Sequence, residues 1–270
     1  REPAMRLSVW PELLARGTAA LRRSTVWWAV GIAAFGLVNT AFWPSLERSD
    51  ALASLEDMSA DLLKAFGAQN LSSPAGYLDG QLFALMLPLL LSGMAIATAS
   101  ALTAGDEGAG RLELLHALPV SRRAVWLSRF VSVLFALCVV GLVVAGVTVA
   151  SVAVFGLDGV TAARVGVATL ACVALAAFHS SVAYLLAGLG RTRGQAVGGA
   201  IFVLVVGYTV SFVLPLAESL RAARLYSPWW WAIGEQPVSR GVEPGLLLLL
   251  VVRYRGDNIR RKAGKAAKGK

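Results

Sequence analysis

His179 stands beside Ser180 and Ser181, a base next to two hydroxyls, which is the residue combination of a nucleophilic hydrolase. Neighbouring positions on a helix point in different directions, so the three cannot by themselves form a base–nucleophile pair. Inside an apolar stretch their better use is hydrogen bonding to another helix or lining a polar cavity. Asn39, Thr40, Ser92, Thr98, Ser100, Tyr208, Thr209 and Ser211 are residues of the same kind, polar but uncharged within apolar blocks. No apolar block carries an acidic residue well inside it, which argues against a carrier that binds protons or sodium through buried carboxylates.

Other motif matches lack the surroundings their chemistry needs. Residues 264–270 read Gly-Lys-Ala-Ala-Lys-Gly-Lys, a phosphate-loop spacing, but no strand leads into them to aim backbone amides at phosphates. Arg255-Gly256-Asp257 is an adhesion-like tripeptide in a basic tail, a three-letter coincidence. Cys138 and Cys172 both fall in apolar blocks and read as packing residues, with neither a disulfide framework nor a zinc site in view.

The elements that hold these residues are set by composition. The chain is 57% hydrophobic and 15% charged, against about 25% charged in globular domains. Its apolar residues form blocks at 26–43, 81–104, 130–155, 165–189 and 196–216, each near or above the ~20 residues that cross a bilayer core. The expected fold is therefore an all-α membrane protein, a polytopic helical bundle with five clear spans. Pro88 is expected to kink the second, and Gly194 and Gly198 to let the fifth pack closely.

Before the first block, Trp10, Leu13, Leu14, Gly17 and Leu21 recur at helical spacing, with Pro11 at the start, and predict an interfacial helix. Residues 1–25 lack the apolar core and cleavage site of a signal peptide, so the first span is expected to act as its own insertion signal.

Charge sets the expected orientation. The segment between the first two blocks holds Glu47, Asp50, Glu56, Asp57, Asp61 and Asp79 against Arg48 and Lys64, and is expected outside. Arg111, Arg122, Arg123 and Arg129 follow the second block, and Arg191 and Arg193 the fourth, which puts those loops and the N-terminus in the cytoplasm. The net charge of +9 sits at block edges and chain ends, so it reads as membrane topology and not as a nucleic-acid surface. The last apolar run, 246–252, would span only about 10 Å as a helix, yet the basic tail behind it asks for a sixth crossing. A short or incomplete sixth helix is the expectation.

The most informative stretch is cytoplasmic, from Gly105 to Arg123. Leu112, Leu115 and Leu118 can share one face of a short helix that Pro119 closes. A mere connector needs fewer residues and no exposed apolar face, so this one calls for a partner.

This segment resembles the cytoplasmic signature of ABC-2 type permeases, in which an acidic pair, Gly-Thr-Leu-Glu, Leu-Leu and Pro-Val-Ser-Arg follow the second span. Asp106, Glu107, Gly110, Leu112, Glu113, Leu114, Leu115, Pro119, Val120, Ser121 and Arg122 match it in place. Arg111 stands where Thr is usual and Arg129 where Lys often occurs. Ser227-Pro228-Trp229-Trp230-Trp231, followed by Gly241 to Gly245, is similar to the family's outer segment before its last helix.

The resemblance implies a permease subunit of an ATP-driven exporter in the inner (plasma) membrane, working by alternating access, and the uncharged polar residues of the apolar blocks suit a lipophilic drug, antibiotic or lipid. It implies no cofactor on this chain, with ATP and Mg on a partner ABC ATPase subunit present in two copies, and a second permease chain in a homodimer or heterodimer. Residues 1–25 would be the cytoplasmic N-terminus, 26–252 the transmembrane domain with its coupling segment at 105–129, and 253–270 a basic cytoplasmic tail. The coupling contacts would be Asp106, Glu107, Gly110, Leu112, Glu113, Leu115, Leu118, Pro119 and Arg122. Asn39, Thr40, Ser92, Thr98, His179, Ser180, Tyr208 and Ser211 would line the translocation path. The alternatives are an intramembrane enzyme, which needs a nucleophile and base converging from different helices, and a membrane protein that works without an ATPase.

Overall fold

The structure is a computed structural model that describes residues 2–49, 73–105, 121–234 and 237–239. Its helices are α1 (Glu2–Glu47), α2 (Pro74–Leu78), α3 (Met86–Ser100), α4 (Arg122–Phe155), α5 (Ala162–Gly188), α6 (Arg193–Tyr208) and α7 (Pro228–Ile233). Among the described residues five helical stretches are long and apolar enough to cross a membrane: Trp10–Glu47, Pro74–Thr103, Arg122–Phe155, Ala162–Gly188 and Arg193–Leu216. The polytopic helical bundle read from the sequence is the observed architecture. Asp106 to Pro119 lie outside the described residues, as do the 246–252 run and the basic tail.

Helix ends follow local chemistry. The hydroxyls of Ser121 and Thr161 accept the amides of Ala124 and Arg164, and Thr192 with Gln195 forms a reciprocal capping box that starts α6. Gly156 ends α4 in the left-handed region, φ 68°, where a side chain would be strained.

The expected interfacial helix and the first span are one continuous helix, with no break at Thr25. The face carrying Gly17 and Leu21, expected at the membrane interface, is instead turned onto α4: Gly17 meets Ser132 and Gly36 meets Thr148. Both numbers rise together along the two contacts, so α1 and α4 run parallel. Helices in lipid gain little from hydrophobic burial and associate through close contact of small and hydroxyl-bearing residues, which is what this seam supplies. Away from the seam, α1 carries exposed Trp27 and Phe42, and α4 exposed Leu142 and Val154.

α3 is central, with Leu87, Leu91, Met94 and Ala95 fully buried, and it packs chiefly on α5. Its start is irregular. A π-helical turn covers Asp79–Phe83, and Leu85 then leaves helical geometry at φ −132°. Pro88 explains the break, because its ring clashes with the carbonyl four residues earlier and it has no N–H to offer that carbonyl.

Two expectations need correcting. Gly194 and Gly198 have no neighbour within 4 Å of the space a side chain would fill, whereas Gly199 lies against Leu186. The face of α6 that meets α5 carries Ala196, Gly199 and Ala200, one residue round from the pair chosen by spacing alone. Cys172 is buried, as a packing residue should be, but Cys138 is exposed on the surface of α4.

Gly17→Val should separate α1 from α4, since even a β-carbon there would lie 2.3 Å from the Ser132 hydroxyl oxygen. Overpacking of this kind costs about 1–3 kcal/mol, and a lowered unfolding temperature of the purified protein in detergent would record it. Gly31→Val, at a position with nothing within 4 Å, should leave that temperature nearly unchanged.

Candidate functional site

Pro88 leaves the Ala84 carbonyl without its helical partner, and the structure supplies one from far along the chain. The indole N–H of Trp229, on the short aromatic helix α7, donates to that carbonyl at 3.3 Å. Trp229 is 1% exposed and lies edge-on to Tyr208 at 5.4 Å and to His179 at 6.3 Å. α7 is held there by its first residues. The Ser227 hydroxyl caps the Trp229 amide, donates to the Gly207 carbonyl at 2.8 Å and accepts from the Ser211 hydroxyl at 2.7 Å. The triple-tryptophan segment thus turns back into the bundle as a wedge between α3, α5 and α6.

A second clamp holds the far side of α7. The Asp79 carboxylate accepts the Val238 and Ser239 amides at 2.7 and 2.8 Å and also the Ser239 hydroxyl. Asp79 is completely buried, which counting it among the charges of an outward-facing segment did not reveal. Backbone N–H donors give a carboxylate charge-assisted bonds that offset part of its loss of water.

Behind the wedge, His179 Nδ1 lies 3.0 Å from Ser92 Oγ, joining α5 to α3. This is an interhelical bond, not a pairing of His179 with its sequence neighbours. Ser180 and Ser181 instead donate to the Ala177 carbonyl of their own helix. A nucleophile and a base do converge here from different helices, but both are sealed, at 0% and 2% exposure, with the rings of Phe178 and Trp229 against the imidazole. Hydrolysis needs water at that point.

The opposite end of α3 is tied down as well. Past α3 a π-helical turn covers Ala101–Gly105, and the Arg129 guanidinium of α4 donates to the Leu102 carbonyl within it. The Tyr184 hydroxyl of α5 donates to the Trp126 carbonyl, with its ring edge-on to Trp126 at 4.8 Å. Arg122 is exposed in the first turn of α4. The segment 106–120 therefore leaves from and returns to two helix ends that are bonded to each other.

Of the residues expected on a translocation path, four come together around Trp229: Ser92 and His179 as a bonded pair, Tyr208 by ring contact, and Ser211 through Ser227. The rest do not join them. Thr98 bonds back to Met94 and Ala95, and Thr40 to Gly36, each within its own helix. Asn39 offers its carbonyl to the Tyr77 hydroxyl at 3.0 Å, a tie between α1 and α2.

Residues 16–225 match a known family, described as ABC-2 family transporter protein. The chain belongs to that family. No curated protein matches it, and no solved structure does. As an ABC-2 family member it is a multi-pass membrane protein and the permease component of an ABC transporter, a membership that implies association with an ABC ATPase. The wedge of α7, and the ties at both ends of α3, are thus features of a transporter's membrane domain. Sequence reasoning gave no bonding role to Asp79, Ala84 or Ser227. A signal existed for Ala84, because a proline inside a span always orphans the carbonyl four residues before it. No local pattern announced Asp79, whose partners are some 160 residues away.

Asp79→Ala should strand the buried Val238 amide and the half-buried Ser239 amide and cost about 1–3 kcal/mol. The expected outcome is a lower unfolding temperature together with faster protease cleavage around residues 234–240. Asp79→Asn, which keeps an acceptor oxygen, should fall between Ala and the parent on both measurements.

Proposed function

We propose that this permease exports a lipophilic substrate across the plasma membrane by alternating access, with ATP and Mg bound on two copies of a separate ATPase subunit and with a second permease chain completing the path. The N-terminus would be cytoplasmic. The observation that carries this reading is the position of α3, which is tied at one end to the helix ends flanking 106–120 and at the other, through Ala84, to the aromatic wedge.

Transport requires a coupling free energy between ATPase and permease, and coupling passes through surfaces that touch. In this reading Leu112, Leu115 and Leu118 dock on the ATPase, with Pro119 ending their helix and Asp106, Glu107, Glu113 and Arg122 as polar contacts around it. Gly110 gives the backbone room to turn. Closure of the ATPase pair displaces the segment, and because Arg129 bonds to Leu102, α4 and α3 move together. A packed bundle shifts between discrete arrangements, so α3 carries Ala84 away from the Trp229 indole and opens the bundle around Ser92, His179, Tyr208 and Ser211. Uncharged polar groups among aromatic rings suit a lipophilic substrate with a few hydrogen-bonding atoms. Asn39, Thr40, Thr98 and Ser180 would be part of the path only in an arrangement other than this one, since each is now engaged by local bonds.

Glu113→Ala and Leu115→Asp should each leave the spans intact yet lower both export and substrate-stimulated ATP hydrolysis. A lost coupling contact is worth about 1–3 kcal/mol, or roughly 5- to 150-fold. Vesicles carrying the permease with its ATPase would show it, and normal export by both variants would remove the segment from the coupling role.

Topology has its own test. With Cys138 and Cys172 replaced by Ala, a single cysteine at Ser54 should react with an impermeant maleimide from outside intact cells, and one at Ser121 only after the membrane is opened. The reverse pattern would invert the proposed direction of every loop.

A further inference from the structure

We propose that the groove between α1 and α4 is a binding site for one anionic phospholipid, its headgroup at Arg22 and one acyl chain lying toward Leu37. Two adjoining hollows form this groove. The first is lined by Thr18, Arg22, Thr25, Ser132 and Phe135 among others, the second by Val30, Ala34, Leu37 and Val143, and they share Thr25, Val26 and Val139.

Polarity is graded along the groove in the way an amphiphile requires. Among the described residues Arg22 is the one charged residue lining it, and no carboxylate lines either hollow. The hydroxyls of Thr18, Thr25 and Ser132 are already spent on carbonyls of their own helices, so the cation is what remains to meet a headgroup. Beyond Val26 the lining is wholly aliphatic. A basic side chain at this level attracts anionic lipid and leaves zwitterionic lipid to the aliphatic part alone.

Length separates a lipid from a protein occupant. From Val26 to Leu37 the groove follows α1 for about 17 Å, close to the depth of one leaflet in a core about 30 Å thick. A helix from a second copy would press on the whole height of α1, and past Leu37 neither hollow continues. The small side chains of Ala15, Ala19 and Ala34 leave the channel open. With the N-terminus in the cytoplasm this is the inner leaflet, but the pairing of Arg22 with an anionic headgroup holds for either orientation.

The test is retention of lipid by the full-length chain with its ATPase partner in detergent, offered equal phosphatidylglycerol and phosphatidylethanolamine and read by native mass spectrometry. The expected result is a preference for phosphatidylglycerol of about fivefold, the factor that ~1 kcal/mol per basic residue gives. Arg22→Gln should bring the preference to parity while Arg22→Lys keeps it. Ala34→Phe, at an exposed position, should reduce retention of both lipids by filling the groove. Parity in the parent protein, or an unchanged preference in Arg22→Gln, would overturn the proposal. So would ready disulfide formation between two copies carrying Ala34→Cys, since a second chain would then occupy the groove. An unfolding temperature matching the parent's keeps each variant's result interpretable.

Discussion

A carbonyl without a partner inside a bilayer has no water to turn to, and leaving one there costs several kcal/mol. That constraint organises the upper half of this bundle. Pro88 breaks the helical ladder, the break frees Ala84, and the bundle answers with the Trp229 indole from a segment 145 residues later. To put that indole in place, α7 must fold back among α3, α5 and α6. To hold α7, Ser227 bonds to Gly207 and Ser211, and Asp79 grips Val238 and Ser239. One proline therefore accounts for where Trp229 stands, while Trp230 lies under the Arg224 guanidinium and Trp231 donates to the Leu225 carbonyl.

The second organising fact is that α3 is bonded at both ends by side chains of other elements, while its middle is packed and joined to α5 by the Ser92–His179 contact. A helix so placed cannot move alone. Any force applied where the 106–120 segment joins α3 and α4 is shared by both helices, and any displacement of α3 is felt at the wedge. By contrast α1 and α6 present broad exposed apolar faces, with Trp27 and Phe202 about two-thirds exposed. These are the faces available to lipid and to other chains.

Small residues do different work in different places. On the α1–α4 seam Gly17 is required by contact, and on α6 it is Gly199 that touches a neighbour. Gly194 and Gly198 have the four-residue spacing of a packing motif, but among the described residues a side chain there would meet no neighbour within 4 Å. Spacing says that a helix face is smooth, but a neighbour has to be present for smoothness to matter.

Much was written in the chain itself. The five spans, the helical character of the N-terminal stretch, the break at Pro88 and the family signature were legible because apolar block length, period and motif are properties of contiguous residues. The helical face that carries Gly17 and Leu21 was legible as apolar, but that it packs on α4 and does not lie at the membrane interface was not. The sequence could not tell that Asp79 is buried, since a carboxylate at a block edge looks solvated until backbone amides from residues 238 and 239 arrive. It did tell that His179 would bond across helices and not to Ser180, but it could not name Ser92 as the partner or show that Trp229 folds inward. Local pattern determines which segments enter the membrane, because each must satisfy its own backbone and match the bilayer's thickness. Which polar groups meet across the bundle was decided only by tertiary structure, because hydrogen bonds between helices depend on rotation and register, and these are set by the packing of all the helices together.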